Sequence, residues 1–272
     1  MRRYPRHDYL EMTEALQQFF VTTIRANCDD SKYPYRVKDL LNEEKRNSIL
    51  REQAMQQGLQ LGGRGSAAVG TLFAKRYSVF VMSVISAFSL YDTILSIADD
   101  DVRFELNGAG GMRYATRLER TSLEAEDPVQ RRSESGLLKK RVLLHLEPVL
   151  RAVAVGTGAS DKVMWSLVAH NVQQLYARMI NDQSIWKTDE RLAKIQADQS
   201  LWLDRQNDNA CTCTFANELQ HFEHSGWQGP PFLIRRYCCL AYQVGSGSHA
   251  HAYCNSCPKL DSESRLRKLL QQ

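Results

Sequence analysis

The sequence lacks the features that mark several large functional classes. It has no excess of either charge, since 35 basic and 31 acidic residues leave a net charge of +4. That balance argues against a nucleic-acid partner. No dinucleotide fingerprint, Ser/His/Asp arrangement or paired-carboxylate site stands out, and the glycine-rich stretch 58–70 lacks the Gly-Lys-Ser/Thr ending of a phosphate loop. We therefore expect any electrons to come from another protein or a small reductant.

Long apolar runs are also missing. The most apolar stretch, 77–91, contains four serines and is flanked by Lys75-Arg76 and Asp92. A membrane-spanning helix needs about 20 apolar residues, so this stretch predicts a buried core helix and no integral membrane segment. The amphipathic segment 9–24 carries acidic residues, which is not typical of a secretory signal. These patterns predict a cytoplasmic protein.

The cysteines are few, odd in number and unevenly placed. Four of the seven fall within the last 35 residues. A secreted disulfide framework has an even set of cysteines in a short chain, so this distribution instead indicates a reduced compartment and a metal site. The seven are Cys28, Cys211, Cys213, Cys238, Cys239, Cys254 and Cys257.

Apolar periodicity predicts an α+β protein that is mostly helical with a small antiparallel sheet. Helical spacing occurs over 8–26, 43–58, 70–98, 137–155, 160–181 and 188–204, and 119–136 is expected to be a solvated loop. Alternation around Asn107–Gly111 predicts a β-hairpin near 101–118. We divide the chain into an N-terminal helical region (1–62), a mainly helical domain with the hairpin (63–230) and a cysteine-rich C-terminal segment (231–272).

The C-terminal cysteines follow the pattern Cys238-Cys239, fourteen residues, then Cys254-x-x-Cys257-Pro258. A Cys-x-x-Cys loop can turn both sulfurs towards one metal, and a proline after the last cysteine is familiar in iron–sulfur loops. Adjacent side chains in an extended chain point to opposite faces. Cys238 and Cys239 can therefore serve one centre only if the chain turns there or if each binds a different iron. This pair favours a 2Fe–2S cluster over a single zinc ion.

Other metal and redox chemistries remain open on the residues alone. Four cysteines can hold structural zinc, although zinc ribbons generally use two Cys-x-x-Cys knuckles. A redox-active disulfide at Cys254 and Cys257 would need a thioredoxin-like context. A Rieske-like centre could use His249 and His251, but it would leave two cysteines unused. Cys211 and Cys213 rank below the four later thiols as ligands.

At these residues the sequence resembles the FhuF-like ferric iron reductase family, the siderophore-iron reductases. The resemblance lies in Arg-Arg-Tyr-Cys-Cys at 235–239 and Cys-Asn-Ser-Cys at 254–257. Residues 161–166 show a more diffuse likeness. They resemble the family's apolar-Trp-Ser/Gly-Asn stretch, which opens a helix, but Leu167 stands in place of the Asn. The likeness covers roughly 70–272, and the loop of fourteen residues between the cysteine pairs is longer than the usual ten or so.

The resemblance implies a 2Fe–2S cluster bound by Cys238, Cys239, Cys254 and Cys257. It implies an oxidoreductase that gives one electron to siderophore-bound ferric iron and releases ferrous iron, with an electron-donor protein or small reductant as partner. The alternatives are a siderophore-related binding module with structural zinc and an iron–sulfur electron carrier or sensor. The residues expected to dock the substrate or the donor are Arg235, Arg236, His249, His251 and Trp165.

Overall fold

The structure is a computed structural model that describes residues 6–25, 31–63, 65–108, 111–120, 127–204, 214–245 and 252–271. The predicted α+β class is confirmed, with helices as the dominant element. The helices are α1 (Arg6–Phe20), α2 (Val37–Leu41), α3 (Glu43–Gln56), α4 (Ser66–Tyr91), α5 (Pro128–Thr157), α6 (Asp161–Asn181), α7 (Gln183–Trp186), α8 (Asp189–Trp202) and α9 (Ser262–Leu270), with a short 3₁₀ turn at Ala241–Gln243.

The strands form one four-stranded sheet and two short pairs. They are β1 (Thr22–Ile24), β2 (Tyr35–Arg36), β3 (Ile94–Leu95), β4 (Arg103–Asn107), β5 (Gly111–Thr116), β6 (Leu118–Arg120), β7 (Gln220–His221) and β8 (Leu233–Ile234). The larger sheet has the order β1-β5-β4-β2, and the pairs are β3-β6 and β7-β8. β4 and β5 pair antiparallel where the hairpin was predicted, whereas β1 lies parallel to β5.

Helix α4 lies at the centre of the main core. It contacts α1, α5, α6 and the sheet, and its side chains are buried on almost every face. A helix that is apolar all round belongs inside a protein or a membrane. Among the described helices, α4 alone is long and apolar enough to cross a membrane. However, 78% of its most apolar 18 residues are buried against the rest of the chain. Such burial is typical of a core helix.

Aromatic rings join α4 to the sheet. The rings of Phe73 and Phe104 meet edge to face at 6.4 Å, and those of Tyr77 and Tyr114 do so at 5.9 Å. Such pairs add to the stabilisation from buried area. Closer to its start, α4 carries Gly70, where an added Cβ would lie 2.2 Å from the Thr157 hydroxyl oxygen. A side chain at this position would push α4 away from the end of α5.

Several helix boundaries differ from the sequence predictions. The helix predicted over 8–26 ends at Phe20, and Thr22–Ile24 form β1 instead. α4 ends at Tyr91 instead of 98, because Asp92 takes up a left-handed conformation and its carboxylate binds Arg131 and Arg191. α5 begins at Pro128, inside the predicted loop, and the Asp127 side chain accepts a hydrogen bond from Val129 N at 2.9 Å. Proline is well suited to the first position of a helix.

Candidate metal centre

The thiols lie on two neighbouring stretches of irregular backbone that follow β8. Arg235 donates its backbone N–H to the Ser256 carbonyl at 3.0 Å, which places the first stretch beside the second. Leu240 follows the adjacent cysteines with φ +60°, in the left-handed region that costs a non-glycine residue roughly 1–2 kcal/mol. Its N–H donates to Cys238 Sγ at 3.4 Å, so the chain turns back towards the first cysteine at this residue.

The second stretch is a tight loop held by the C-terminal helix. Cys257 N donates to the Cys254 carbonyl at 2.9 Å. Arg265 of α9 is almost fully buried, and its guanidinium donates to the carbonyls of Asn255, Cys257 and Leu260. One side chain thus fixes three carbonyls around the Cys-x-x-Cys turn.

The four sulfur atoms form two close pairs. Cys239 Sγ lies 3.8 Å from Cys254 Sγ, and Cys257 Sγ lies 3.6 Å from Cys238 Sγ. Both distances far exceed the roughly 2.05 Å of a disulfide bond, and all four residues are free thiols. A tetrahedral metal with metal–sulfur bonds of about 2.3 Å holds two sulfur ligands about 3.8 Å apart. Each pair therefore has the spacing of two ligands on one metal ion.

Both sulfur pairs connect the same two stretches of backbone. Within the described part of the chain, no group of three or more His, Cys, Asp or Glu side chains is arranged to hold one metal ion. Each pair takes one cysteine from 238–239 and one from 254–257. The donor set thus includes two dithiol pairs, each with the spacing of two ligands on one metal ion.

The helical core supports one of these pairs directly. Cys239 is fully buried and packs with Leu72 of α4 and Leu167 of α6. The Thr71 hydroxyl donates to the Cys239 carbonyl at 2.8 Å. Leu167, which departs from the Asn of the family pattern, therefore has a packing role beside the thiols. Cys254 packs at the edge of the same small apolar cluster.

Positive charge from two directions acts on the Cys239–Cys254 pair. A hydrogen bond from Cys254, helped by the charges of Arg235 and Lys75, outweighs burial and lowers the pKa of Cys239 to about 4. Donating that hydrogen bond and being buried raise the pKa of Cys254. In the other pair, burial raises the pKa of Cys238. The deeply placed Cys239 is therefore a thiolate at neutral pH, which is the form that binds metals.

The two consecutive arginines before the cysteines have opposite environments. Arg235 is 2% exposed, and its Nη1 and Nη2 atoms are buried without a conventional hydrogen-bond acceptor among the described residues. Burial alone would lower the pKa of Arg235, but the charges of Cys239 and Cys254 outweigh it and raise that pKa. Arg236 is exposed and lies over the Tyr237 ring at 5.7 Å. Arg235 thus faces the sulfurs, and Arg236 faces outward.

Two open cavities flank the thiol segment. One of about 520 Å³ is lined by Trp165 of α6 together with Arg236 and Tyr237. The other, of about 670 Å³, lies beside β7 and β8 and is lined by Arg235, Arg236 and Arg265 among others. The structure thus brings two predicted docking residues, Trp165 and Arg236, to one groove. Cys28 lies outside the described residues, as do Cys211, Cys213, His249 and His251, whose predicted roles are therefore not tested.

Several residues around the thiols carried no signal in the cysteine pattern. Thr71 and Lys75 are on α4, far away in sequence, and nothing local marks them. Arg265 had a weak signal, because Asp261 precedes a short run of helix-forming residues and its side chain accepts from Ser264 N at 2.8 Å. An aspartate in that position is a common helix start.

Comparison with known proteins adds no relative to this picture. No protein-family description matches the chain. A search of curated proteins likewise found none that matches. The resemblance to siderophore-iron reductases therefore stays a prediction that rests on the cysteine motif.

Proposed function

We propose that the chain is a ferric siderophore reductase that binds a 2Fe–2S cluster through Cys238, Cys239, Cys254 and Cys257. The observation that carries the proposal is the sulfur pairing, with Sγ–Sγ distances of 3.8 and 3.6 Å. Two pairs that each match the ligands of one tetrahedral metal suit a centre with two irons. A mononuclear zinc site would require all four sulfurs to surround one point.

The surroundings of the thiols suit a permanently bound anionic centre. Two ferric ions, two sulfides and four thiolates sum to a charge of about −2, and such a charge is costly to bury without compensation. The buried guanidinium of Arg235 supplies positive charge at this place, and Lys75 adds more. The same charges would also suit zinc with four thiolates, so the charges support only a metal–thiolate site. The sulfur pairing is what supports two irons at that site.

When bound, such a cluster supplies one electron at a time. The chain's residues would hold the thiolates, and they bury Cys239 and Cys257 and leave Cys238 and Cys254 half-buried. In each turnover one ferric ion gains one electron, provided by a donor protein or a small reductant, and becomes ferrous. Siderophores bind through hard oxygen donors that hold Fe(III) more strongly than Fe(II), so reduction promotes release.

The test begins with anaerobic purification and metal analysis. We expect about two irons and two acid-labile sulfides per chain, visible absorption that dithionite bleaches, and an EPR signal in the reduced protein. Adding a ferric siderophore to the reduced protein should restore the absorption and yield one trapped ferrous ion per reduced centre. A colourless protein with one zinc per chain would refute the proposal.

A second arm separates a reductase from a general electron carrier. A reductase should favour some ferric chelates over others of similar potential, because it binds its substrate. Reoxidation at rates that follow only the chelate's potential would contradict dedicated reductase activity and indicate a carrier.

A further inference from the structure

The groove of about 520 Å³ opens directly beside the thiol segment. Its walls come from α5, from the start of α6 and from the Arg236–Tyr237 turn. Tyr237 precedes Cys238 in the chain, so their Cα atoms are about 3.8 Å apart. Binding pockets for small molecules have volumes of about 300–1,000 Å³. A ligand in this groove would thus lie close to the half-buried Cys238.

The groove has more positive than negative groups. Three cations line it, Arg151, Lys162 and Arg236, against two carboxylates, Glu147 and Asp161. Arg151 pairs with Glu147 at 2.6 Å. Lys162 and Arg236 form no ion pair with a carboxylate that the described ranges contain. A ligand with negative charge would therefore meet two cations that no described carboxylate already pairs with.

The start of α6 adds donors to the same wall. Ser160 occupies the cap position, yet its side chain makes no capping hydrogen bond, so the first N–H groups of this 21-residue helix lack that acceptor. The N-terminal end of a helix attracts anions. One turn further on, Ser166 is 5% exposed, lines the groove, and its hydroxyl has no hydrogen-bond partner among the described residues. A buried hydroxyl of this kind needs a partner from a ligand or water.

An aromatic face completes the groove. Trp165 is half-buried, packs against the main core on one side and lines the groove on the other. Tyr237 also lines the groove and has the Arg236 guanidinium over its ring at 5.7 Å. Flat, rigid aromatic walls suit a ligand that itself has aromatic rings.

We propose that this groove binds the ferric chelate and selects anionic chelates with catecholate or phenolate rings. The inference rests on the proposed reductase function and names the substrate class for it. Catecholate oxygens give the ferric complex its negative charge, and their rings can stack on Trp165. Hydroxamate complexes are largely neutral and have no donor rings, so they gain less from Lys162, Arg236 and Trp165.

The larger cavity beside β7 and β8 fits an anionic chelate less well. Two of its three arginines are already engaged, since Arg265 binds three backbone carbonyls and Arg235 faces the sulfurs, and the third, Arg236, lines both cavities. Glu218 and Glu223 also line it and add negative charge. This cavity provides the alternative location against which the groove is tested.

The experiment measures binding of gallium(III) chelates to the full, cluster-loaded chain in its oxidised state. Gallium has the charge of ferric iron and is not reduced, so binding is separated from electron transfer. Titration calorimetry compares tris-catecholate, citrate and tris-hydroxamate complexes. We expect the catecholate to bind at least about tenfold more tightly than the hydroxamate, and its affinity to fall as salt increases.

Lys162→Gln should raise the dissociation constant for the catecholate about three- to tenfold, and Trp165→Leu about tenfold. The control is Arg132→Gln, an exposed site on α5 fifteen residues before Glu147, or about 22 Å along the helix. It changes charge equally and should leave binding unchanged. Iron and sulfide contents should match the unchanged protein in all three variants.

Three outcomes would overturn the inference. One is a catecholate dissociation constant that Lys162→Gln and Trp165→Leu do not change. Another is equal affinity for citrate and catecholate complexes, which would remove the aromatic selection. The third is a catecholate dissociation constant that changes in Glu223→Gln and in neither groove variant, which would place the chelate in the larger cavity. Loss of all chelate reduction with groove-dependent gallium binding intact would refute the reductase function instead.

Discussion

The main helical core and the C-terminal thiol segment are stabilised in different ways. The core is a continuous cluster of apolar side chains that runs from Met12 to Phe215 and has α4 at its centre. Over 214–245 and 252–271, regular structure is limited to β7, β8, one 3₁₀ turn and α9. This segment buries two guanidiniums, Arg235 and Arg265, together with thiols.

The two regions should differ in whether their stability depends on a bound metal. Apolar burial stabilises the core with no added ligand. The thiol segment holds polar and charged groups away from water, and a bound metal would contribute directly to its folding free energy. We therefore expect the core to fold with or without metal and the thiol segment to depend on it. The predictions below test that division.

The largest effect should come from removing a deeply placed thiol. Cys239→Ser should reduce bound iron from about two per chain to nearly none, because its pair with Cys254 loses one ligand. The far-UV circular dichroism spectrum should keep its helical signal. The control is Cys211→Ser combined with Cys213→Ser, which should retain the iron. Equal iron loss in the control would show that the metal uses other thiols.

The next prediction concerns a substitution in the main core that leaves the thiols unchanged. Asp198 is buried, and its carboxylate accepts hydrogen bonds from Arg131 at 2.7 Å and Ser89 at 2.9 Å. Asp198→Ala would leave the buried Arg131 with less compensation, which typically costs about 3–5 kcal/mol in the free energy of unfolding. Urea denaturation would measure the change.

The matched control for that prediction is Glu147→Ala in the i,i+4 pair with Arg151. A surface pair of this kind contributes about 0.3–0.5 kcal/mol, so the denaturation midpoint should barely move. A similar loss in both variants would mean that the burial of the Arg131–Asp198 pair has little energetic weight.

A smaller and more local effect is expected for the arginine that holds the Cys-x-x-Cys turn. Arg265→Met would remove the donors to the carbonyls of Asn255, Cys257 and Leu260. Leaving such acceptors without partners costs about 1–3 kcal/mol. Hydrogen exchange should rise over 252–271 and stay unchanged in α4. Arg267→Met on the exposed face of α9 is the control and should leave exchange as it was.

How far the sequence predicts the fold depends on whether the signal is local. The apolar content of α4 was sufficient to predict a buried helix, since burial on every face appears in composition. The start of α5 was wrongly predicted as a loop because 128–136 is dense in charge. Arg131 is nevertheless buried in this part of α5, where it pairs with Asp198. That partner lies 67 residues away along the chain. A local pattern cannot reveal a distant carboxylate.

The candidate site likewise has some features with a local sequence signal and others that depend on distant contacts. The cysteine motif predicted that four thiols share one metal centre; the structure brings their sulfurs into two close pairs, and the shared centre stays a prediction. The left-handed turn at Leu240, directly after the adjacent cysteines, could not be predicted, because the sequence has no glycine there to indicate it. Alternation suggests that Arg235 and Arg236 face opposite ways. Which of them is buried depends on packing against α4 and α6, which the motif does not contain.

The smallest predicted effect lies at the joint between the two regions. His170 of α6 is 4% exposed, and its Nε2 lies 2.9 Å from the Leu233 carbonyl of β8. Burial lowers the pKa of His170 below its ordinary value of 6.5, and the Leu233 hydrogen bond only partly offsets this. The unfolded chain therefore binds more protons here than the folded one as pH falls. The stability contributed by neutral His170 is complete above pH 6.5 and is lost as pH falls towards its folded pKa.

For one proton the slope cannot exceed about 1.4 kcal/mol per pH unit. Urea unfolding between pH 5 and 8 should show this slope in the unchanged protein and less of it in His170→Gln, whose amide can still donate to Leu233. Subtracting the two curves removes the other titrating groups. Hydrogen exchange at β8 should accelerate with the same pH dependence, because this contact fastens the thiol segment to the core. Identical slopes in both proteins would mean that the pKa of His170 is the same in the folded and the unfolded chain.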